Sequence, residues 1–263
     1  MATDQIYPVV LARDAAATIE LTLDTLRDFP EVIVYAWGSG DRVREICSGY
    51  PNVQYVDGDF LGNGRTRNQA ASLAEGDWIL ALNADEHLSD ALLTSLIRLT
   101  FDTETTAYSL QRHNLFLGKD IRWGGWGNDW LIRLYNRRSF HFDDALEHGR
   151  IALSTGAKIE PLQGALWRQT VTDIDQLLSR ASWRSELGRH AEGRVLSPPL
   201  AVLSASWAFC RCYFCRLGLL EGWRGLLIAA TAAIETFFRH MKRYAQVPED
   251  AVAKLGTKSR VLK

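Results

Sequence analysis

Residues 7–11 read YPVVL and residues 32–36 read VIVYA, two short apolar runs of the kind that form fully buried strands. Between them, residues 15–29 place Ile19, Leu23 and Leu26 at helical spacing, with Leu21 flanking, and Pro30 stops the pattern. Gly38-Ser39-Gly40-Asp41 is a turn in which Asp41 can cap a helix running to about Cys47. Gly49-Tyr50-Pro51-Asn52 breaks the chain, and residues 53–56 form a third strand. Residues 65–74 fit a helix and residues 78–82 a buried strand, after which Ser89 can cap a helix carrying Ile97 and its neighbouring leucines inward. Strand and helix alternating at this spacing call for an α/β domain built from parallel βαβ units with right-handed crossovers. Residues 106–116 alternate loosely as a further strand, residues 117–120 turn, and LIRLY at 131–135 is another strand.

Beyond residue 170 the pattern changes. Residues 173–192 suit a polar helix, and residues 200–245 are rich in Trp, Phe, Leu, Cys and Arg. We therefore divide the chain into an α/β domain, residues 1–170, and a helical region, residues 171–263. The apolar stretches of the second part are too short to span a bilayer and are punctuated by Arg211, Arg216, Arg224, Arg239, Lys242 and Arg243. That mixture, with Trp207 and Trp223, suits helices lying in the headgroup layer of an anionic inner leaflet. A helical hairpin packed on the first domain, or at a homodimer interface, is the other reading.

Composition narrows the classes. With 47% apolar residues in 263, the chain can bury a core, and a net charge of −1 with no basic stripe speaks against nucleic acid as a partner. Of four cysteines, three crowd into residues 210–215, which is no secreted disulfide framework and has no second half for a zinc site. The start, MATDQIYPVV, has no basic segment before its apolar run, so a cytoplasmic location is the expectation.

The chemistry concentrates in residues 62–88, GNGRTRNQAASLAEGDWILALNADEHL. Gly62 and Gly64 permit close backbone approach to a ligand, the following helix start favours phosphate, and Arg65 and Arg67 add positive charge. Asn83-Ala84-Asp85-Glu86 ends a buried strand, which is where open α/β sheets bind ligands. Asp85 is the candidate ligand for a divalent cation, Mg²⁺ or Mn²⁺, holding a diphosphate, while Asn83 offers a neutral carbonyl or a contact to a ribose hydroxyl. The plainer reading has Asp85 and Glu86 capping the next helix and facing solvent.

The order of these features resembles the family-2 inverting glycosyltransferases of GT-A fold: a first strand ending in a polar turn, a second followed by Gly-Ser-x-Asp, a glycine loop leading to Arg67-Asn68, and a Gly-Asp-Trp entry to a strand ending in x-Ala-Asp-Glu. GGWGNDWLIRLYNRRSFHF and the tail from Cys210 are similar to the bacterial lipopolysaccharide-core β-glucosyltransferase-like branch. The resemblance implies a nucleotide-sugar donor, a UDP-sugar first, bound by Ala12, Asp14, Ala36, Gly62, Gly64, Arg67, Asn68, Asn83, Ala84 and Asp85. It implies a glycan or lipid-linked acceptor stacked by Trp126 and Trp130, and a catalytic base at Asp129, with Glu147 as runner-up. It also implies a metal at Asp85, completed by His148. Three positions depart from the family: Ala36 and Asn83 stand where carboxylates are usual, and Glu147-His148 reverses the usual His-Glu. A non-catalytic sugar- or partner-binding homologue and a nucleotidyltransferase are the alternatives.

Overall fold

The computed structural model describes residues 2–38, 40–101, 103–127, 129–144, 149–153, 156–190 and 195–246. These fall into two compact units, one of residues 1–120 with 128–170, the other of residues 121–127 with 171–263.

The first unit is a sheet with helices on both faces. Strand β1 (Ile6–Ala12) pairs in parallel with β2 (Val32–Ala36) on one side and β4 (Trp78–Asn83) on the other, and β2 pairs with β3 (Val53–Asp57). Helices α1 (Ile19–Asp24), α2 (Asp41–Ser48) and α3 (Asn63–Ser72) make the crossovers. Successive strand residues point to opposite faces. Ile6, Val10 and Val34 accordingly join the core beneath α1 and α2, and Val9, Leu11 and Ile33 join the core beneath α3. Burial on both faces is why these strands are continuously apolar.

Beyond β4 the sheet turns antiparallel. Its order is β3-β2-β1-β4-β8-β6-β11-β5, from β5 (Glu86–Leu88), β6 (Thr106–Phe116), β8 (Asp129–Asn136) and β11 (Lys158–Val171), with β7 (Lys119–Ile121) on β6. Helix α4 (Asp90–Ile97) starts where Ser89 Oγ accepts the Leu92 N–H at 3.2 Å, the cap expected from the sequence. The short hairpin of β9 (His141–Phe142) and β10 (Ile151–Ala152) lies against α3.

Three expectations shift. The helix expected over residues 15–29 is regular only for Ile19–Asp24, because Thr22 and Thr25 turn their hydroxyls to tertiary bonds, Thr22 to Ala84 O at 3.1 Å and Thr25 from Leu88 N at 3.3 Å. Asp41 is the first residue of α2, and Gly40 takes the cap position with no side-chain bond. Strands β5 and β11 were not expected: the first is three residues long, and the second contains Pro161 and Gly164, which strands disfavour.

Gly64 is required by packing. A Cβ there would lie 1.6 Å from the Asp143 carbonyl oxygen, so α3 meets the β9 chain with no room for a methyl group. Gly64→Ala is expected to lower stability by about 1–3 kcal/mol, read as a shift in the denaturant midpoint, since backbone must move to admit it.

The second unit contains α5 (Asp175–His190), α6 (Pro198–Cys210) and α7 (Trp223–Tyr244), with a π-type turn at Arg211–Cys215. Inside it, the buried Glu221 carboxylate accepts the N–H groups of Arg122 and Trp123 at 2.9 and 3.2 Å, tying residues 121–127 to the helices. Among the described residues no helix is long and apolar enough to cross a membrane.

Candidate active site

Residues of five strands and one helix start converge beside the carboxyl end of β4. The centre is Glu86, which is fully buried. Its Oε2 accepts the Asn83 N–H at 2.9 Å, closing the turn after β4, and its Oε1 accepts from Arg112 Nη1 and Arg133 Nη2, each at 3.0 Å. Burial alone would raise the Glu86 pKa, but Arg133, Arg112, Arg168 and Arg67 outweigh it and hold the carboxyl at about 2.

Strand register sets the rest. Arg112 on β6 lies directly across from Asp129 on β8, and both Arg112 Nε, at 2.9 Å, and Nη2 donate to Asp129 Oδ2. Between the Tyr108–Leu134 and Ser109–Ile132 pairs the register slips by one residue, so β8 carries Arg133 as an extra residue. Bulges of this kind re-aim a side chain, and this one accompanies a guanidinium bonded to Glu86 from the midst of an apolar strand. Arg168 on β11 lies across from Glu86 on β5, and its Nε donates to Asp85 Oδ2 at 3.0 Å.

From the other side comes Arg67, buried in α3. Its Nε donates to Asn63 Oδ1 at 3.0 Å, its Nη2 to Asn83 Oδ1 at 2.5 Å, and its guanidinium sits 5.3 Å from the centre of the Phe142 ring. Burial, with Arg133 nearby, pushes its pKa down to about 9. Burial also raises the Tyr135 phenol, whose hydroxyl is buried without a hydrogen-bond partner among the described residues.

The residues named from sequence thus separate. Arg67, Asn83, Asp85 and Asp129 enter one network through Glu86, Arg112 and Arg168. Ala84 is buried behind it, its N–H bonded to Leu11 O. Asn68 is committed to structure: it donates to Phe142 O and accepts from Phe142 N, both at 2.8 Å, pinning β9 to α3. Gly62 opens α3 at φ +101°, a backbone that favours glycine. Ala12 and Ala36 end β1 and β2, and Asp14, exposed, follows β1 at φ +46°. Trp37, next to Ala36, stacks on Phe60 with ring centres 5.1 Å apart. Trp130 is 44% exposed on β8, whereas Trp126 belongs to the second unit. Glu147 and His148 lie outside the described residues.

The solvent-facing Glu86 considered from sequence is corrected: its carboxylate is the buried hub. Arg112 and Arg168 were missed altogether, and Arg133 was not expected as a partner of Glu86. The available signal was Arg133 inside LIRLY, since a charge in a buried strand must find a partner.

Mg²⁺ or Mn²⁺ bound with a diphosphate takes only one or two protein carboxylates, the phosphates supplying other oxygens. Asp85 is engaged by Arg168 and Asn83 by Arg67, and no three His, Cys, Asp or Glu side chains gather as a cation site among the described residues. The described side chains thus offer a cation one carboxylate that already neutralises a guanidinium and one neutral amide that already holds another, a set that fits a divalent cation poorly.

Residues 9–163 match the profile of Glycosyl transferase family 2. The chain belongs to this family. Its sheet, parallel through β4 and antiparallel beyond it, with helices on both faces, is the GT-A fold. Relatives include an uncharacterized glycosyltransferase of Rickettsia bellii, 24% identical over 258 residues, covering 91% of this chain and 86% of that one. A second, from Rickettsia prowazekii, is 24% identical over 254 residues, covering 90% and 86%. Among solved structures, S. aureus TarS aligns over 95% of this chain and 50% of that one, at 17% identity and a TM-score of 0.46. As a member of family 2, the chain is a glycosyltransferase.

Proposed function

We propose that this glycosyltransferase moves a sugar from a nucleotide-sugar donor, a UDP-sugar first, to a hydroxyl of a glycan or lipid-linked acceptor in cell-surface glycan synthesis, lipopolysaccharide or capsule, with inversion. The observation that carries the reading is Asp129. Its carboxylate stands at the start of β8, 27% exposed, with one oxygen fixed by Arg112, which is itself anchored on Glu86. A carboxylate so held keeps its position while its other oxygen meets an acceptor hydroxyl. In the step, that hydroxyl gives its proton to Asp129 as its oxygen bonds to the anomeric carbon. The bond from that carbon to the diphosphate oxygen breaks, and its electron pair leaves with the nucleoside diphosphate. Trp130, exposed beside Asp129, offers a stacking face for the acceptor sugar. Trp37 and Phe60 offer an aromatic surface for the nucleobase where Ala36 supplies no carboxylate.

Enzymes of this family and fold commonly use a divalent cation. At this site a cation on Asp85 shares with Arg168 a carboxylate whose Oδ2 the guanidinium already holds. The reading is tested by titrating a panel of nucleotide sugars and following tryptophan fluorescence. Saturable binding of one of them at micromolar to millimolar concentration supports it; no binding by any favours a sugar- or partner-binding homologue.

The helical unit supports the membrane-surface reading over a dimer. Leu203 (64% exposed), Trp207 (62%) and Phe214 (55%) are apolar and outward, among arginines at 211, 216 and 224. The protein is expected to sediment with vesicles containing phosphatidylglycerol and much less with phosphatidylcholine alone, and high salt should release it. Trp207→Glu should weaken that binding about tenfold or more, from the loss of a buried side chain worth about 1.5–3 kcal/mol. A concentration-dependent dimer with no vesicle binding contradicts this part of the reading.

A further inference from the structure

Among the described residues, charge around Glu86 does not balance. Arg67, Arg112, Arg133 and Arg168 bring four guanidiniums, whereas Asp85, Glu86 and Asp129 bring three carboxylates. The surplus falls on Arg67. It is 5% exposed, the two side chains it bonds, Asn63 and Asn83, are neutral amides, and its Nη1 is buried without a hydrogen-bond partner among the described residues. A buried cation held only by neutral acceptors is costly unless an anion completes it. Arg67 also sits near the start of α3, whose first N–H groups and dipole favour phosphate. A divalent cation in the same place adds charge to an existing surplus and competes with Arg168 for Asp85.

Asn83 fits this arrangement. Its amide oxygen accepts from Arg67 and fixes the guanidinium without cancelling its charge. An aspartate at the same position would pair with Arg67 and neutralise it.

We propose that Arg67, positioned by Asn63 and Asn83, takes the charge of the departing diphosphate in place of a divalent cation on Asp85, so that donor binding and transfer proceed without added metal. This rests on the nucleotide-sugar reading above. As the bond to the anomeric carbon breaks, the electron pair settles on the diphosphate oxygen, and a preorganised guanidinium stabilises that charge where it develops. Arginine suits the role because its planar fork can hold two neutral partners and still direct an N–H at phosphate.

The test is calorimetry with a panel of nucleoside diphosphates against wild type and Asn83→Asp, each in EDTA and in Mn²⁺. Wild type is expected to bind one of them equally, within about twofold, in both buffers. Asn83→Asp should lose about tenfold or more in EDTA and recover it with Mn²⁺, because it cancels Arg67 and adds a cation ligand. Wild-type binding that appears only with Mn²⁺ overturns the inference and leaves the nucleotide-sugar reading standing. Asn83→Asp binding as tightly as wild type in EDTA also overturns it. No binding by wild type in either buffer takes down the nucleotide-sugar reading itself. Should Asn83→Asp fail to fold, the wild-type comparison decides alone.

Discussion

Replacing Asp129 by asparagine is expected to lower sugar transfer about 10²–10⁴-fold while donor affinity stays within a few-fold of wild type, the usual range for loss of a general base. The substitution keeps the shape of the side chain and one oxygen to accept from Arg112, so the β6–β8 pairing that places it is retained. It removes only the capacity to take a proton. The loss should therefore fall on kcat and leave KM for the donor nearly unchanged, which separates a base from a residue that merely binds. The competing assignment is Glu147. If Glu147→Gln abolishes transfer and Asp129→Asn does not, Asp129 is a structural partner of Arg112 and the base lies elsewhere.

Glu86→Gln should destabilise the first unit by about 3–5 kcal/mol, the cost typical of removing one partner of a buried ion pair. Glu86 serves Arg112, Arg133 and the Asn83 N–H at once, and the substitution leaves the buried Arg133 and the half-buried Arg112 without their shared counter-charge. The carboxyl's pKa falls from an ordinary 4.5 to about 2 on folding, so its contribution is complete above about pH 4.5 and disappears as the pH drops through about 2. Wild type should lose stability across that acid window, and Glu86→Gln should lose less there, having already forfeited it at neutral pH. Chemical denaturation at pH 7 and at pH 3 reads both effects. An unchanged denaturant midpoint at pH 7 contradicts the hub assignment.

The parallel half of the fold was legible because β1, β2 and β4 are buried on both faces and write themselves as YPVVL, VIVYA and WILAL. The antiparallel half was harder to read. Strand β11 carries Pro161, Gly164 and exposed polar residues, and it is a strand because β5 and its other neighbours in the sheet pair with it. The same divide runs through the site. Asp85 and Asn83 stood out as polar residues ending an apolar strand, and Arg67 as the charge after a glycine loop. Arg112 and Arg168 gain meaning only from register, each opposite a carboxylate far away in sequence. Asn68 shows the complementary case: its place in the motif suggested a donor contact, and only the structure shows its amide bonded to the backbone of Phe142.

The most direct test of sugar transfer at this site is to follow each nucleotide sugar of a panel by proton NMR with stoichiometric wild-type protein or Asp129→Asn. Water stands in for the acceptor in this experiment. The expected result is that wild type consumes one donor, with its anomeric proton signal decaying as free nucleoside diphosphate appears, while Asp129→Asn does so at least about 100-fold more slowly. Equal consumption by both proteins, or a full panel left intact by wild type, contradicts it.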